Sequence, residues 1–238
     1  MYLPAHFEET RPAVLQALLQ QHPLGLLITQ DADGAPVADA IPFMLDAERG
    51  PFGTLVGHVA RSNPLWRAAA DGAAQQQALV VFQGPNGYIS PNGYASKAEH
   101  GKVVPTWNYA MVQARGPLQV LGGAAAHALV SRLTKLHEAG QRQPWAVTDA
   151  PADYIHSMLG AIVCIEIPLT ALVGKYKLSQ NRSAADRAGL VAALQGDGGL
   201  GDGGQGDGGQ GDGVQAGGGQ GDRSGPALAQ WMQTPPGA

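Results

Sequence analysis

Six strand-forming runs crowd into residues 24–121, and a single helical pattern, at 63–72, interrupts them. A doubly wound sheet needs an even alternation of strand and helix, which this spacing denies. An antiparallel barrel with helical additions fits it, so the expected class is mainly β with α additions (α+β). Leu24 to Gln30 reads as a strand, Asp31-Ala32-Asp33-Gly34 as a tight turn, and Ala35 to Leu45 as the returning arm of a hairpin. Gly53 to Val59, Ala78 to Phe82, Val103 to Gln113 and Pro117 to Leu121 are further strands. Turns are expected at Asp46 to Pro51 and at Arg115-Gly116, and a long loop at 83–102. Loops of that length in compact domains commonly carry function.

Helices flank this strand-rich stretch. Thr10 is the expected N-cap of a first helix, with Pro12 in its first turn and Val14, Leu15, Leu18 and Leu19 at helical spacing. Asn63 and Pro64 suit the N-cap and first position of the helix at 63–72. Ala124 to Ala139, Ala152 to Leu159 and Ser183 to Leu194 are three more helices, with strands at Ala161 to Ile167 and Gly174 to Leu178.

Composition enters through the tail. Residues 196–225 hold 16 of the 34 glycines and five of the 19 acidic residues, in a Gly-Asp-Gly-Gly rhythm of five. A calcium-binding β-helix repeat needs nine residues and an aliphatic core position, and this segment offers neither. Little here can be buried to offset chain entropy, so disorder is expected. Outside it acids and bases balance at 14 each, which argues against DNA as a main partner. The domain reading is a folded body at 1–195, the Gly/Asp/Gln-rich repeat at 196–225, and a short helix with tail at 226–238. The single cysteine, Cys164, sits in an apolar run and suits a buried small hydrophobe. No window approaches the ~20 apolar residues of a membrane span. The first residues, Met1-Tyr2-Leu3-Pro4, lack leader character, so a cytoplasmic protein is expected.

A series of strings in order along residues 1–195 resembles the PaiB family of FMN-binding negative transcriptional regulators. They are Met1-Tyr2-Leu3-Pro4-Ala5-His6-Phe7, then Gly57-His58-Val59-Ala60-Arg61-Ser62-Asn63-Pro64-Leu65-Trp66, then Phe82-Gln83-Gly84-Pro85 and Tyr88-Ile89-Ser90-Pro91. The most distinctive runs from Lys97 through His100 to Val104-Pro105-Thr106-Trp107-Asn108-Tyr109. Ala150-Pro151-Ala152-Asp153-Tyr154-Ile155 and Lys177-Leu178-Ser179-Gln180-Asn181-Arg182 complete it. After Ser90-Pro91 the family has a polar residue and a Trp where this chain has Asn92-Gly93. If that Trp covers the cofactor, this chain lacks the cover.

The resemblance implies an FMN-binding split β-barrel with peripheral helices, working as a homodimer with flavin at the interface. FMN carries a phosphate, a polar chain and a flat ring, so a site needs cations, backbone donors and an aromatic wall. Candidate contacts are His58, Arg61, Ser62 and Asn63 at a helix start, where free amides favour an anion. Thr106, Trp107 and Asn108 lie on a strand, with Trp107 placed to stack on a ring or to pack in the core. Lys177, Ser179, Gln180, Asn181 and Arg182 add two cations and three hydrogen-bonding groups before another helix. Tyr88 and Ser90 are weaker candidates. The expected role is a negative transcriptional regulator or redox sensor, with a flavin-dependent oxidoreductase as the alternative. No catalytic residue and no metal ligand set can be named. A basic stripe of Lys97, Lys102, Lys175, Lys177, Arg182 and Arg187 is the one feature that would favour DNA.

Overall fold

The computed structural model describes residues 1–70, 76–123, 125–196 and 224–237. Among the described residues ten strands form two antiparallel sheets. One has six strands in the order β1 (Glu8–Glu9), β10 (Ala171–Lys177), β7 (Thr106–Pro117), β6 (Gln77–Ile89), β2 (Leu24–Gln30), β3 (Pro36–Pro42). The other has four: β4 (Met44–Asp46), β5 (Thr54–Ala60), β9 (Ile162–Pro168), β8 (Gln119–Val120). The hairpin expected at 24–45 forms with full register from Leu24↔Pro42 to Gln30↔Pro36. Its return arm then divides at buried Phe43, whose N–H donates to the Pro23 carbonyl at 2.8 Å. Beyond Phe43 the chain enters the second sheet, so one predicted strand serves both.

The two sheets face each other without closing into a hydrogen-bonded ring, which is the split barrel. Alternate residues of β7, Asn108, Ala110, Val112 and Ala114, point inward and are buried with Leu27, Phe82, Leu55 and Ile165. The sheets approach closely at Gly116, where a Cβ would collide with the Pro168 carbonyl. The Arg115-Gly116 turn expected from sequence is therefore strand. Glycine serves there to admit a neighbouring backbone, not to bend the chain.

The loop expected at 83–102 is also shorter. After Phe82 the strand slips register between Gln83 and Asn86 and runs on to Ile89. Gly84 and Gly87 look like turn residues but make room for a helix: Cβ atoms there would stand 3.1 Å from the Trp231 ring and 3.2 Å from Leu228. The remaining loop holds the short helix α3 (Ser96–His100), after α1 (Pro12–Gln21) and α2 (Leu65–Ala70).

Helix α1 buries Val14, Leu15, Leu18 and Leu19 against the barrel, as the spacing requires. Its cap position is Arg11, not Thr10. The Glu9 carboxylate accepts from the Arg11 amide at 2.9 Å and from its guanidinium at 2.8 Å, which fixes the entry to the helix. The helices α4 (Ala125–Glu138) and α5 (Ala152–Gly160) cover the outer side of the four-stranded sheet. A second core forms there from Met44, Val56 and Cys164 against Ala126, Leu129 and Leu133. Burial raises the Cys164 thiol pKa, which suits an inert packing residue.

Helix α6 (Ala184–Gln195) starts at Ser183, whose hydroxyl accepts from the Asp186 amide. Helix α7 (Ser224–Gln233) packs against α6 and β6 and buries Leu228, Ala229, Trp231 and Met232. The short C-terminal helix expected from sequence does dock, starting two residues earlier than expected. Residues 197–223, which hold most of the glycine repeat, lie outside the described residues, as does the expected helix end at Asp71-Gly72. Both flanks of 197–223 sit together: a Cβ on Gly225 would lie 3.2 Å from the Leu194 carbonyl.

Candidate functional site

The sequence-predicted residues fall into two groups on different sheets. The first lies at the end of β5. His58 pairs with Cys164 across the strands and is half-buried. Its Nδ1 has no hydrogen-bond partner among the described residues, and burial lowers its pKa from 6.5. Arg61 is anchored to the α5–β9 junction. Its backbone N–H donates to Ala161 at 2.8 Å, Nε to the Gly160 carbonyl at 2.6 Å, and Nη2 to the Ile162 carbonyl at 2.8 Å. A guanidinium has five N–H groups, so this leaves three for a ligand. Asn63 caps α2 by accepting from the Leu65 amide at 3.0 Å, and its Nδ2 donates to Asp39 at 2.9 Å. Ser62 is exposed between them. Trp66 Nε1 donates to the Arg61 carbonyl at 3.1 Å, which steadies the turn.

The second group lies where β7, β10 and the 178–183 turn meet. The Lys177 ammonium donates to Thr106 Oγ1 and, at 2.8 Å, to the Trp107 carbonyl. Burial chiefly lowers the Lys177 pKa; Tyr109 opposes the shift, while Lys175 and Arg182 add to it. Trp107 is 51% exposed, so it is not a core residue. Its ring meets Tyr88 edge-on at 6.3 Å, and its Nε1 donates to Asn86 at 3.1 Å. Together Trp107 and Tyr88 form an exposed aromatic wall beside a cation.

Asn108, on the opposite face of the strand, is fully buried. Its Nδ2 donates to Ser179 Oγ at 2.9 Å, and its Oδ1 has no partner among the described residues. Ser179 is buried in the left-handed region at φ 62°, a costly conformation for a non-glycine residue. The Gln180 amide is occupied by its own turn, accepting from the Leu178 amide and donating to the Tyr176 carbonyl. Asn181 is exposed, and Arg182 stacks on the Tyr94 ring at 4.7 Å. Within one chain the flavin-facing candidates here are thus Thr106, Trp107, Lys177, Asn181 and Arg182. Asn108, Ser179 and Gln180 hold the turn in place.

Several site features escape sequence reading. Asp186 accepts from both the amide and the hydroxyl of Ser96, pinning the α3 loop onto α6, and the Ser96 amide chiefly lowers its pKa. A cleft of about 640 Å³ opens beside Arg61, lined by Trp66, Gly122, Gly123, His127, His156 and Cys164 among others. None of Thr106 to Asn108 or Lys177 to Arg182 lines it, so this cleft does not join the two groups. Among the described residues, no cluster of three potential metal ligands occurs. Of the basic stripe named from sequence, Lys97 donates to the Asn92 side chain, Lys175 to the Tyr2 carbonyl and Arg187 to the Met232 carbonyl.

Residues 1–171 match the family model described as "Putative FMN-binding domain". The chain belongs to this family. FMN is the cofactor the family is defined by, and it is the one the ordered sequence strings implied. The match takes in Thr106 to Asn108 and stops before Lys177, so only the 177–182 part of the second group rests on local geometry alone. Among curated relatives, the protease synthase and sporulation protein PAI 2 of Bacillus subtilis is 28% identical over 197 residues, covering 83% of this chain and 90% of its own. A protein of Emericella nidulans is 34% identical over 229 residues, covering 82% and 90%. Among solved structures, the FAD and heme binding protein of Mycobacterium smegmatis superposes with TM-score 0.51 at 19% identity, covering 72% of this chain and 73% of that one. The flavocytochrome Anf3 of Azotobacter vinelandii gives 0.52 at 13%, covering 71% and 69%. These structures bear on the fold alone. The chain is a PaiB-like flavin-binding protein with a split-barrel fold. No helix among the described residues is long and apolar enough to cross a membrane.

Proposed function

We propose that two copies of this chain hold FMN between them and that the bound flavin makes the dimer a redox-responsive negative regulator. The observation that carries the reading is the Lys177 ammonium beside the exposed Trp107–Tyr88 wall, a cation and an aromatic surface on one face of the six-stranded sheet. That face continues across Met111, Val81, Leu79, Ile28, Leu26 and Leu24, with Leu24 62% and Leu26 42% exposed. These apolar side chains, interleaved with Gln83, Gln113 and Arg115, make a mixed face that suits association with a second copy. In this reading the partner's β5 end supplies the second group of contacts.

Bound FMN supplies one- and two-electron redox chemistry, and the protein supplies binding and orientation. Arg61, Ser62 and Lys177 offer donors to the phosphate. Trp107 and Tyr88 flank the ring. Thr106 and Asn181 offer polar contacts. His58, Asn63, Asn108, Ser179 and Gln180 position these groups. Arg182, held over Tyr94, adds positive field. The near-neutral body argues against direct DNA binding.

The test is the absorption spectrum of the purified chain with FMN, together with its mass in solution. The reading expects flavin bands that migrate with a dimer. A chain that stays colourless with excess FMN would sink it. Rapid reduction of the bound flavin by a nicotinamide cofactor would instead favour the oxidoreductase.

A further inference from the structure

The cleft beside Arg61 is separate from the aromatic wall and has its own chemistry. It lies at the open end of the second core, between α4, α5 and the β8–β9 edge. Its volume of about 640 Å³ falls in the range of small-molecule sites. The walls are apolar, from Leu121, Leu159, Ile162 and Ala126, with Trp66 as a flat side. Every ionisable side chain of basic type in the lining, Arg61, His127 and His156, can donate to an anion, and no Asp or Glu lines it. Three lining glycines, Gly122, Gly123 and Gly160, would each meet nothing within 4 Å if given a Cβ. The space is therefore open where side chains could fill it.

We infer that this cleft binds a small organic anion with a flat apolar body, of the aromatic carboxylate class. The body packs on Trp66, Leu121 and Leu159, and the carboxylate meets the free N–H groups of Arg61, with His127 and His156 at the rim. Arg61 is the one residue this site shares with the proposed flavin contacts. The inference otherwise stands on the cleft alone, whether or not FMN occupies the sheet face.

Titration of the full chain with 2-naphthoate, followed by its fluorescence, tests this. The expected result is one site with a dissociation constant on the order of 100 µM, from ordinary affinity per heavy atom. Gly123→Phe, which extends into open space, should weaken it at least tenfold while leaving the circular dichroism spectrum unchanged. His127→Ala should weaken it a few-fold, and Lys177→Ala should leave it unchanged. No saturable binding, or full binding by Gly123→Phe, overturns the inference. If FMN displaces naphthoate and Gly123→Phe abolishes both, the cleft is the flavin's own seat, which also overturns it. Naphthoate binding by a chain that takes no FMN overturns the flavin reading instead.

Discussion

The Lys177 ammonium donates to the Trp107 carbonyl at 2.8 Å, tying β10 to the strand that bears the exposed indole. Removing it takes away both a cation and this tie. Lys177→Ala should weaken FMN binding about tenfold, equivalent to ~1.4 kcal/mol, with the fold intact by circular dichroism. Unchanged affinity would move the phosphate elsewhere. Burial lowers the Lys177 pKa, so its charge is lost at lower pH than for a free lysine. FMN affinity should therefore begin to fall on the alkaline side before pH 10.5, the ordinary lysine value, and Lys177→Arg should remove that limb.

Arg61 has two tasks, and its substitution should separate them. Loss of its bonds to Gly160 and Ile162 frees the α5–β9 junction. Arg61→Ala should lower the melting temperature by several degrees, at ~1 kcal/mol for each lost hydrogen bond. It should also weaken FMN. Arg61→Lys should recover part of the affinity but less of the stability, because an ammonium cannot reproduce the forked contact.

Burial lowers the pKa of both His58 and His22 from 6.5. The unfolded chain therefore binds protons that the folded chain refuses. Their contribution to stability is complete above about pH 6.5 and is lost as pH falls from there through the lowered folded values. The urea midpoint should drop between pH 7.5 and 5.5, and His58→Gln should flatten part of that slope. An unaltered slope in the variant would rule His58 out as a source.

Trp231 stacks on Tyr176 with centroids 5.7 Å apart and lies over Gly84. Trp231→Ala should cost ~3–5 kcal/mol, read as an earlier chemical unfolding midpoint. Gly84→Val should be destabilising too, since its side chain would enter the same space. A chain indifferent to both would mean that α7 does not hold the barrel.

Leu26 is 42% exposed on the sheet face proposed to meet a second copy. Leu26→Lys should convert the dimer to a monomer by light scattering while sparing the fold, because the position faces outward. Dimers that persist in Leu26→Lys would place the interface elsewhere.

Much of the barrel was legible because its signals are local. The alternation at Leu24 to Gln30, the Asp-Gly turn and the spacing of Val14 to Leu19 each fix an element with no knowledge of its neighbours. Gly84, Gly87 and Gly116 misled because a glycine that admits a distant backbone or side chain looks like one that turns the chain. Only the approach of Trp231 or Pro168, more than 50 residues away, tells them apart. The same limit applies to the site. Residue types at 106–108 and 177–182 suggest polar contact with a ligand, but Asn108 and Ser179 are buried, and Met232 of α7 packs at Asn108, a placement the local pattern does not reveal. The cleft between α4 and α5 has no sequence signature, since its defining property is space left unfilled by Gly122, Gly123 and Gly160.

The segment between Gln195 and Ser224 departs from and returns to nearly one point, with Gly225 beside Leu194. Joining two points so close costs only ~0.6 kcal/mol more for each doubling of the connecting length. Genetic drift can lengthen or shorten it almost freely, and a passenger domain spliced there should ride on the protein without disturbing the barrel.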